Sequence, residues 1–264
     1  MAMKMKQVGD GTAQLSLPTE LSEIVTDLSG HSILIYGEPK CGKTSLCAEF
    51  PENMFFMFEP GAKSLRVFQR EVRNWPEFQQ YVGLVEQTDR FKTVTLDTLD
   101  QAYAMCMAWV CRENGWEHPS DGEYGKGWNA VRTEFMKQIN RILKLKRGVI
   151  FTSHAVERDI KSKIGGGEYT KIVPSMPGQA RDVCEALVDI WIYMFHEGGQ
   201  RMMRIRGNEE IAAGHRLQGD YFKGLEVVPA GLDARTAYVN LTNAFHNKHV
   251  VPTQAKPIGL KLTK

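Results

Sequence analysis

An α/β fold is what this sequence predicts: a mostly parallel sheet flanked by helices, with an antiparallel hairpin at one edge. Three observations lead there. Short apolar runs of strand length ("ILIY", "NMFFMF", "KTVTL", "GVIFTSH") alternate with longer helix-like stretches, and such alternation builds a parallel sheet covered on both faces. A glycine-rich turn joins the first run to the first helix. Late in the chain, "LVDIWIYMF" and "RMMRIRG" are separated by "HEGGQ", a hairpin signal.

Taken in order, residues 1–30 are polar, contain Gly, Ser and Pro, and read as an N-terminal arm with one short amphipathic piece around Leu21–Leu28. Ile33–Tyr36 is the first strand, and a helix runs from about Lys43 to Phe50. Asn53–Phe58 is a continuous apolar strand. Trp75-Pro76 opens a helix with proline at its first position, ending near Glu86. Lys92–Leu96 is β-branched and strand-like, and the stretch from Asp97 to Asn114 is helical. Gly115–Gly127 is rich in Gly, Pro and polar groups and reads as a loop. The next helix, Trp128 to about Lys146, carries an apolar face through Val131, Phe135, Ile139 and Ile142. Gly148–His154 is a strand, followed by a long polar segment, Ala155 to about Gln179, read as a loop. A helix at Ala180–Ala186 precedes the hairpin. From about Gly207 no element order is assigned, and the last stretch from Val250 reads as a loose basic tail. The division expected is an arm over 1–30, a core over 31–230, and a C-terminal helix with basic tail over 231–264. No linker-like stretch splits the middle.

The chain has 264 residues, 42% hydrophobic and 24% charged, enough to bury a core without staples. A net charge of +2 excludes a polyelectrolyte, so any nucleic-acid surface must be a local patch. The five cysteines are an odd number with no C-x-x-C pair; buried free thiols in a reducing cytosol are expected, not a disulfide framework or metal site. No apolar h-region follows Lys4 and Lys6, and the run Ala102–Cys111 is too short to cross a bilayer. A soluble, cytoplasmic protein is expected.

The chemistry starts at "GEPKCGKTS": Gly37, Glu38, Pro39, Lys40, Cys41, Gly42, Lys43, Thr44 and Ser45. This matches G-x-x-x-x-G-K-[ST] in full, between an apolar strand and a helix. Glycines there let backbone N–H groups face a phosphate, Lys43 reaches the β- and γ-phosphates, and Thr44 offers a hydroxyl to Mg²⁺. ATP and Mg²⁺ are the expected ligands. A second metal anchor is expected at Asp97, where "TVTLD" stops; Asp100 competes but reads better as a first-turn helix acid. Many AAA+ ATPases and helicases place Glu directly after that Asp, whereas Thr98 stands here. The group that activates water is then sought elsewhere, at Glu59 on the end of "MFFMF". The polar tip Thr152-Ser153-His154 would face the γ-phosphate, with His154 distinguishing ATP from ADP.

Together "ILIYGEPKCGKTSL", "FFMFEPGAKSL", "KTVTLDTLD", "DGEYGKGW" and "VIFTSHAVERD" resemble the successive motifs of bacteriophage RecA-like core ATPases, short recombinase relatives that include single-strand annealing proteins. The resemblance covers about residues 30–195. It implies a RecA-like P-loop NTPase core, with Lys43 and Thr44 on ATP–Mg²⁺, Asp97 on the metal side and Glu59 as the catalytic glutamate. The family's usual sensor is Gln, where this chain has His154.

In a core of that type, the polar segments after the strand–helix units hold single-stranded DNA. Here those are Gly115–Gly127, with Trp116 and Tyr124, and Ala155–Gln179, with Arg158, Lys161, Lys163, Tyr169 and Lys171. Cations would meet phosphates and the tyrosine a base, although Glu157, Asp159 and Glu168 dilute the charge. Self-assembly into a ring or filament is implied, with a neighbour's cation completing the ATP site. Arg216 is the candidate, with Lys223 behind it and Arg206 third. The expected role is recombination, annealing or replication on single-stranded DNA. Two alternatives stand beside it: an ATP-switched loader that does not touch DNA, and a small-molecule kinase, which the lysine-leaning, Gly-rich segment after His154 fits poorly.

Overall fold

The computed structural model describes residues 17–161 and 167–251. Its strands are β1 (Ser32–Gly37), β2 (Asn53–Met57), β3 (Phe68–Glu71), β4 (Thr93–Asp97), β5 (Gly148–Lys161), β6 (Glu168–Pro174), β7 (Ile190–Glu197), β8 (Gln200–Arg204), β9 (Gly214–His215) and β10 (Val227–Pro229). The helices are α1 (Lys43–Ala48), α2 (Trp75–Glu86), α3 (Leu99–Glu113), α4 (Lys126–Leu143), α5 (Gly178–Leu187) and α6 (Ala234–Phe245). The main sheet runs β10-β8-β7-β1-β5-β4-β2-β3. Pairing is parallel from β7 through β3, while β8 and β10 join antiparallel at one edge. The expected fold class stands.

Side chains alternate across this sheet, because successive strand residues point to opposite faces. Leu34, Phe56, Leu96 and Phe151 turn to one face, where α2, α3, α4 and α5 cover them with Phe78, Tyr103, Phe135 and Val183. Ile33, Ile35, Phe55, Met57 and Ile150 turn to the other, under α1 and α6, with Leu46, Cys47, Leu241 and Phe245. Helix starts follow local chemistry. Asn74 caps α2 by accepting from Glu77 N (2.9 Å), and Asp233 caps α6 by accepting from Thr236 N (2.7 Å). The hairpin turns at Gly198 and Gly199, with φ +56° and +77°, the pair of positive dihedrals that a tight two-residue turn between twisted strands requires.

Two expectations are corrected, and one strand is added. The segment after His154 is not a loop: β5 continues to Lys161 and pairs antiparallel with β6, forming a ribbon that leaves the main sheet. Its ladder supplies its own backbone hydrogen bonds, so it needs no apolar face and its charges hid it. β3 had no signal, being four exposed residues at the sheet edge. The residues from Leu187 belong first to α5, and β7 starts at Ile190. In the arm, residues 17–26 are exposed and irregular, and Leu28, in a short 3-10 turn, is buried. The basic tail from 252 onward lies outside the described residues. All five cysteines are free and buried, and no described helix is long and apolar enough to cross a membrane.

Candidate nucleotide site

The phosphate loop leaves the end of β1 and enters α1. Gly42 has φ +98°, a left-handed conformation that glycine takes without a Cβ clash. Lys40, with φ +65°, holds the same hand and keeps its side chain in solvent. Cys41 turns the other way: it is 1% exposed and packs behind the loop among Leu46, Cys47 and Met194. That packing is the reason for a cysteine there, and burial pushes its thiol pKa up, against the lowering influence of Lys43. Lys43 is itself buried, its Nζ donating to the carbonyls of Gly37 (3.0 Å) and Glu38 (2.9 Å).

Strand alternation explains what gathers around this loop. Asp97 follows Thr93 and Thr95 on the α1 face of β4, Thr152 follows Ile150 on β5, and Glu59 continues the face of Phe55 and Met57. Side chains 15, 53 and 108 residues along the chain from Thr44 are thus brought to one end of the sheet. Thr44 Oγ1 donates to Asp97 Oδ2 at 2.6 Å, and Thr152 Oγ1 donates to the other oxygen. His154 Nε2 lies 3.5 Å from Glu59 Oε1. Pro39, Lys40, Gly42, Lys43, Thr44, Ser45, Glu59, Asp97, Thr98 and His154 line one cleft of about 380 Å³.

Asp100 faces away from that cleft. It accepts from Ser153 Oγ (3.0 Å), His154 N (3.1 Å) and Ser175 Oγ. Ser153 and Ser175 flank the ribbon's base, so Asp100 ties the ribbon to the start of α3. This anchoring role was missed in the sequence; the signal is its place one turn after Asp97, but its partners lie 53 and 75 residues away.

The residues fit a nucleoside triphosphate with magnesium. A buried ammonium held by two backbone carbonyls and the Cys41 sulfur, a left-handed glycine beside it, and a hydroxyl–carboxylate pair at Thr44–Asp97 supply a cation, turned amides and hard oxygen donors. Among the described residues no cluster of three His, Cys, Asp or Glu marks a metal cage of another kind.

The other candidates lie elsewhere. Arg216 is outside the cleft: its guanidinium donates to Asp189 Oδ1 (3.0 Å), Ala186 O (2.8 Å) and Leu187 O. Lys223 pairs with Asp220 at 3.7 Å. Arg158, Lys161, Tyr169 and Lys171 stand on the ribbon, and Lys163 lies outside the described residues. Trp116 packs against the core and Tyr124 is 96% exposed.

A prophage-derived uncharacterized protein of Bacillus subtilis strain 168, YorG, is 28% identical over 152 residues, 55% of this chain. The match spans about half of that relative's length, 47%. A KaiC-like protein from Pyrococcus horikoshii OT3 superposes with a TM-score of 0.44 at 14% identity, covering 76% of this chain and 85% of its own. That likeness is too slight to add to the strand order. A family model described as "AAA domain" (AAA_24) matches residues 29–217, the span from the first 3-10 turn through the phosphate loop, both acidic strand ends and the ribbon, and the chain belongs to that family.

Proposed function

We propose that this protein is an ATPase acting on single-stranded DNA, in phage recombination, annealing or replication, and that His154 joins its two activities. The observation that carries the reading is the position of His154. It contacts Glu59 in the nucleotide cleft and is also the residue at which β5 leaves the sheet to become the ribbon.

In the cleft, Lys43 neutralises phosphate charge, and Thr44 with Asp97 holds the metal through oxygen. A magnesium ion held by these oxygens would offset the charge that builds on the transferred phosphoryl group. Glu59 orients the attacking water and accepts its proton, and His154 restrains the Glu59 carboxylate. Thr98, next to Asp97, has no carboxylate to offer, so the base comes from the neighbouring strand.

The ribbon's register supports the DNA half of the reading. Directly paired residues share a face, which puts Val156/Val173, Arg158/Lys171 and Ile160/Tyr169 on one side. Glu157, Asp159, Thr170 and the Lys161–Glu168 pair fall on the other. The acids that dilute the charge in sequence are therefore segregated in space. One face offers cations and an aromatic ring, the chemistry of phosphate contact and base stacking. The prophage origin of the relative fits this setting.

The deciding experiment measures ATP hydrolysis with and without single-stranded DNA, for the natural protein and Glu59→Gln. Stimulation by DNA is expected, with Glu59→Gln retaining ATP binding but losing roughly a hundredfold or more in rate. Hydrolysis indifferent to nucleic acid would favour a loader whose nucleotide cycle serves a protein partner.

A further inference from the structure

Many arginines on this molecule are neutralised in place. Arg216 pairs with Asp189, Arg235 with Glu49, Arg204 with Glu226 and Arg141 with Glu86. Arg201, like several other arginines, forms no salt bridge among the described residues, and Asp233 is a carboxylate that feels its charge. The Arg201 Nη2 donates to the carbonyl of Gly231 at 3.3 Å. Its other terminal nitrogen lies against the phosphate loop, so close that a Cβ added to Gly42 would sit 2.8 Å from it.

The hairpin puts it there. Arg201 opposes His196 across β7–β8 and shares its face with Met203, which is buried on the α1 and α6 face. Arg201 therefore projects to the loop's own side of the sheet. Strand order then sets which flank of the loop it occupies. β5, β4 and β2, which carry His154, Asp97 and Glu59, lie on one side of β1, and β7 and β8 lie on the other. The loop thus has a carboxylate-and-histidine flank and, opposite, a flank where the Arg201 guanidinium stands.

A polyphosphate whose terminal phosphoryl lies towards Glu59 and Asp97 must run its remaining length away from them. It carries several negative charges, and of the loop's two cations Lys43 is buried while Lys40 turns to solvent. We infer that Arg201 is a further cation of the site, holding the nucleoside-proximal phosphate of a nucleoside di- or triphosphate and taking no part in chemistry at the far end. The inference rests on the nucleotide reading of the cleft. A guanidinium suits the task because its charge is permanent and its donors form a planar fork that meets two phosphate oxygens. No motif could announce it, since Arg201 lies 158 residues beyond Lys43 and reaches the loop through the hairpin register alone.

The test is equilibrium binding of fluorescent ATP and ADP analogues to the natural protein and to Arg201→Gln, Arg201→Ala and Arg201→Lys. Arg201→Gln retains a donor for the Gly231 carbonyl and removes the charge, and the melting temperature of each variant reports folding independently. Arg201→Gln and Arg201→Ala should weaken ATP and ADP alike, by roughly tenfold or more, while Arg201→Lys regains part of the loss. Unchanged affinity in a folded Arg201→Gln protein overturns the inference, as does a loss confined to ATP, which would put the guanidinium at the terminal phosphate. If the natural protein binds neither nucleotide, the nucleotide reading itself falls.

Discussion

Asp97 ends β4 and Asp100 stands in the first turn of α3, and their carboxylates serve different ends. Asp97 receives Thr44 and Thr152 inside the nucleotide cleft, and Asp100 receives the ribbon's two base serines outside it. Lys43 is the residue on which the cleft depends, and Lys43→Ala should lower ATP affinity by about a hundredfold or more, read by equilibrium binding, because a charge-assisted contact is lost. A third carboxylate, Asp189, works far from the cleft. Burial alone would raise its pKa, but donation from His31, Ser32 and Arg216 holds it well below the ordinary 3.8. A depressed folded-state pKa means that its contribution to stability is complete above about pH 4 and is lost as pH falls below it. Asp189→Asn should therefore be less stable than the natural protein at pH 7. Its urea midpoint should also fall less between pH 5 and pH 2, and equal slopes for the two proteins would refute the assignment.

The ribbon is the element with the clearest division of labour between faces. If its basic face holds DNA, Arg158→Glu with Lys171→Glu should abolish binding to a single-stranded oligonucleotide, whereas Lys161→Glu on the opposite face should alter it little. Lys171→Ala alone should flatten the salt dependence of log K by about 0.7, the share of one phosphate contact on a single strand. The ribbon's tie to the cleft is separable from both functions. Asp100→Ala frees the Ser153 and Ser175 hydroxyls while leaving Thr44–Asp97 untouched, so nucleotide affinity should persist and DNA stimulation should fall. Loss of nucleotide binding in that variant would mean that Asp100 belongs to the cleft after all.

Over the whole molecule, the two faces of the sheet carry different burdens. The face under α2 to α5 holds the larger apolar cluster, and the face under α1 and α6 holds the loop and every polar group of the cleft. α6 is no appendage to this arrangement. Phe245 at its end is fully buried, with ring centroids 5.5 Å from His31, 4.5 Å from Tyr221 and 5.5 Å from Phe222. Phe245→Ala should cost about 3–5 kcal/mol and lower the whole denaturation curve as one transition. A separate early transition would show instead that the C-terminal helix folds by itself.

The local grammar of the chain was enough for the phosphate loop, the alternation of strands and helices, the hairpin and the two acids at strand ends, since each depends on residues within one turn or strand of one another. What lay beyond it was decided by neighbours in space. The 158 residues between Lys43 and Arg201, the Asp100 anchor and the partition of the ribbon's charges have no periodic signature, because they follow from which strands pair and in what register. Asp97 could be named from "TVTLD"; that its oxygens meet Thr44 and Thr152, and that Glu59 faces His154, required four strands to lie side by side with the same parity.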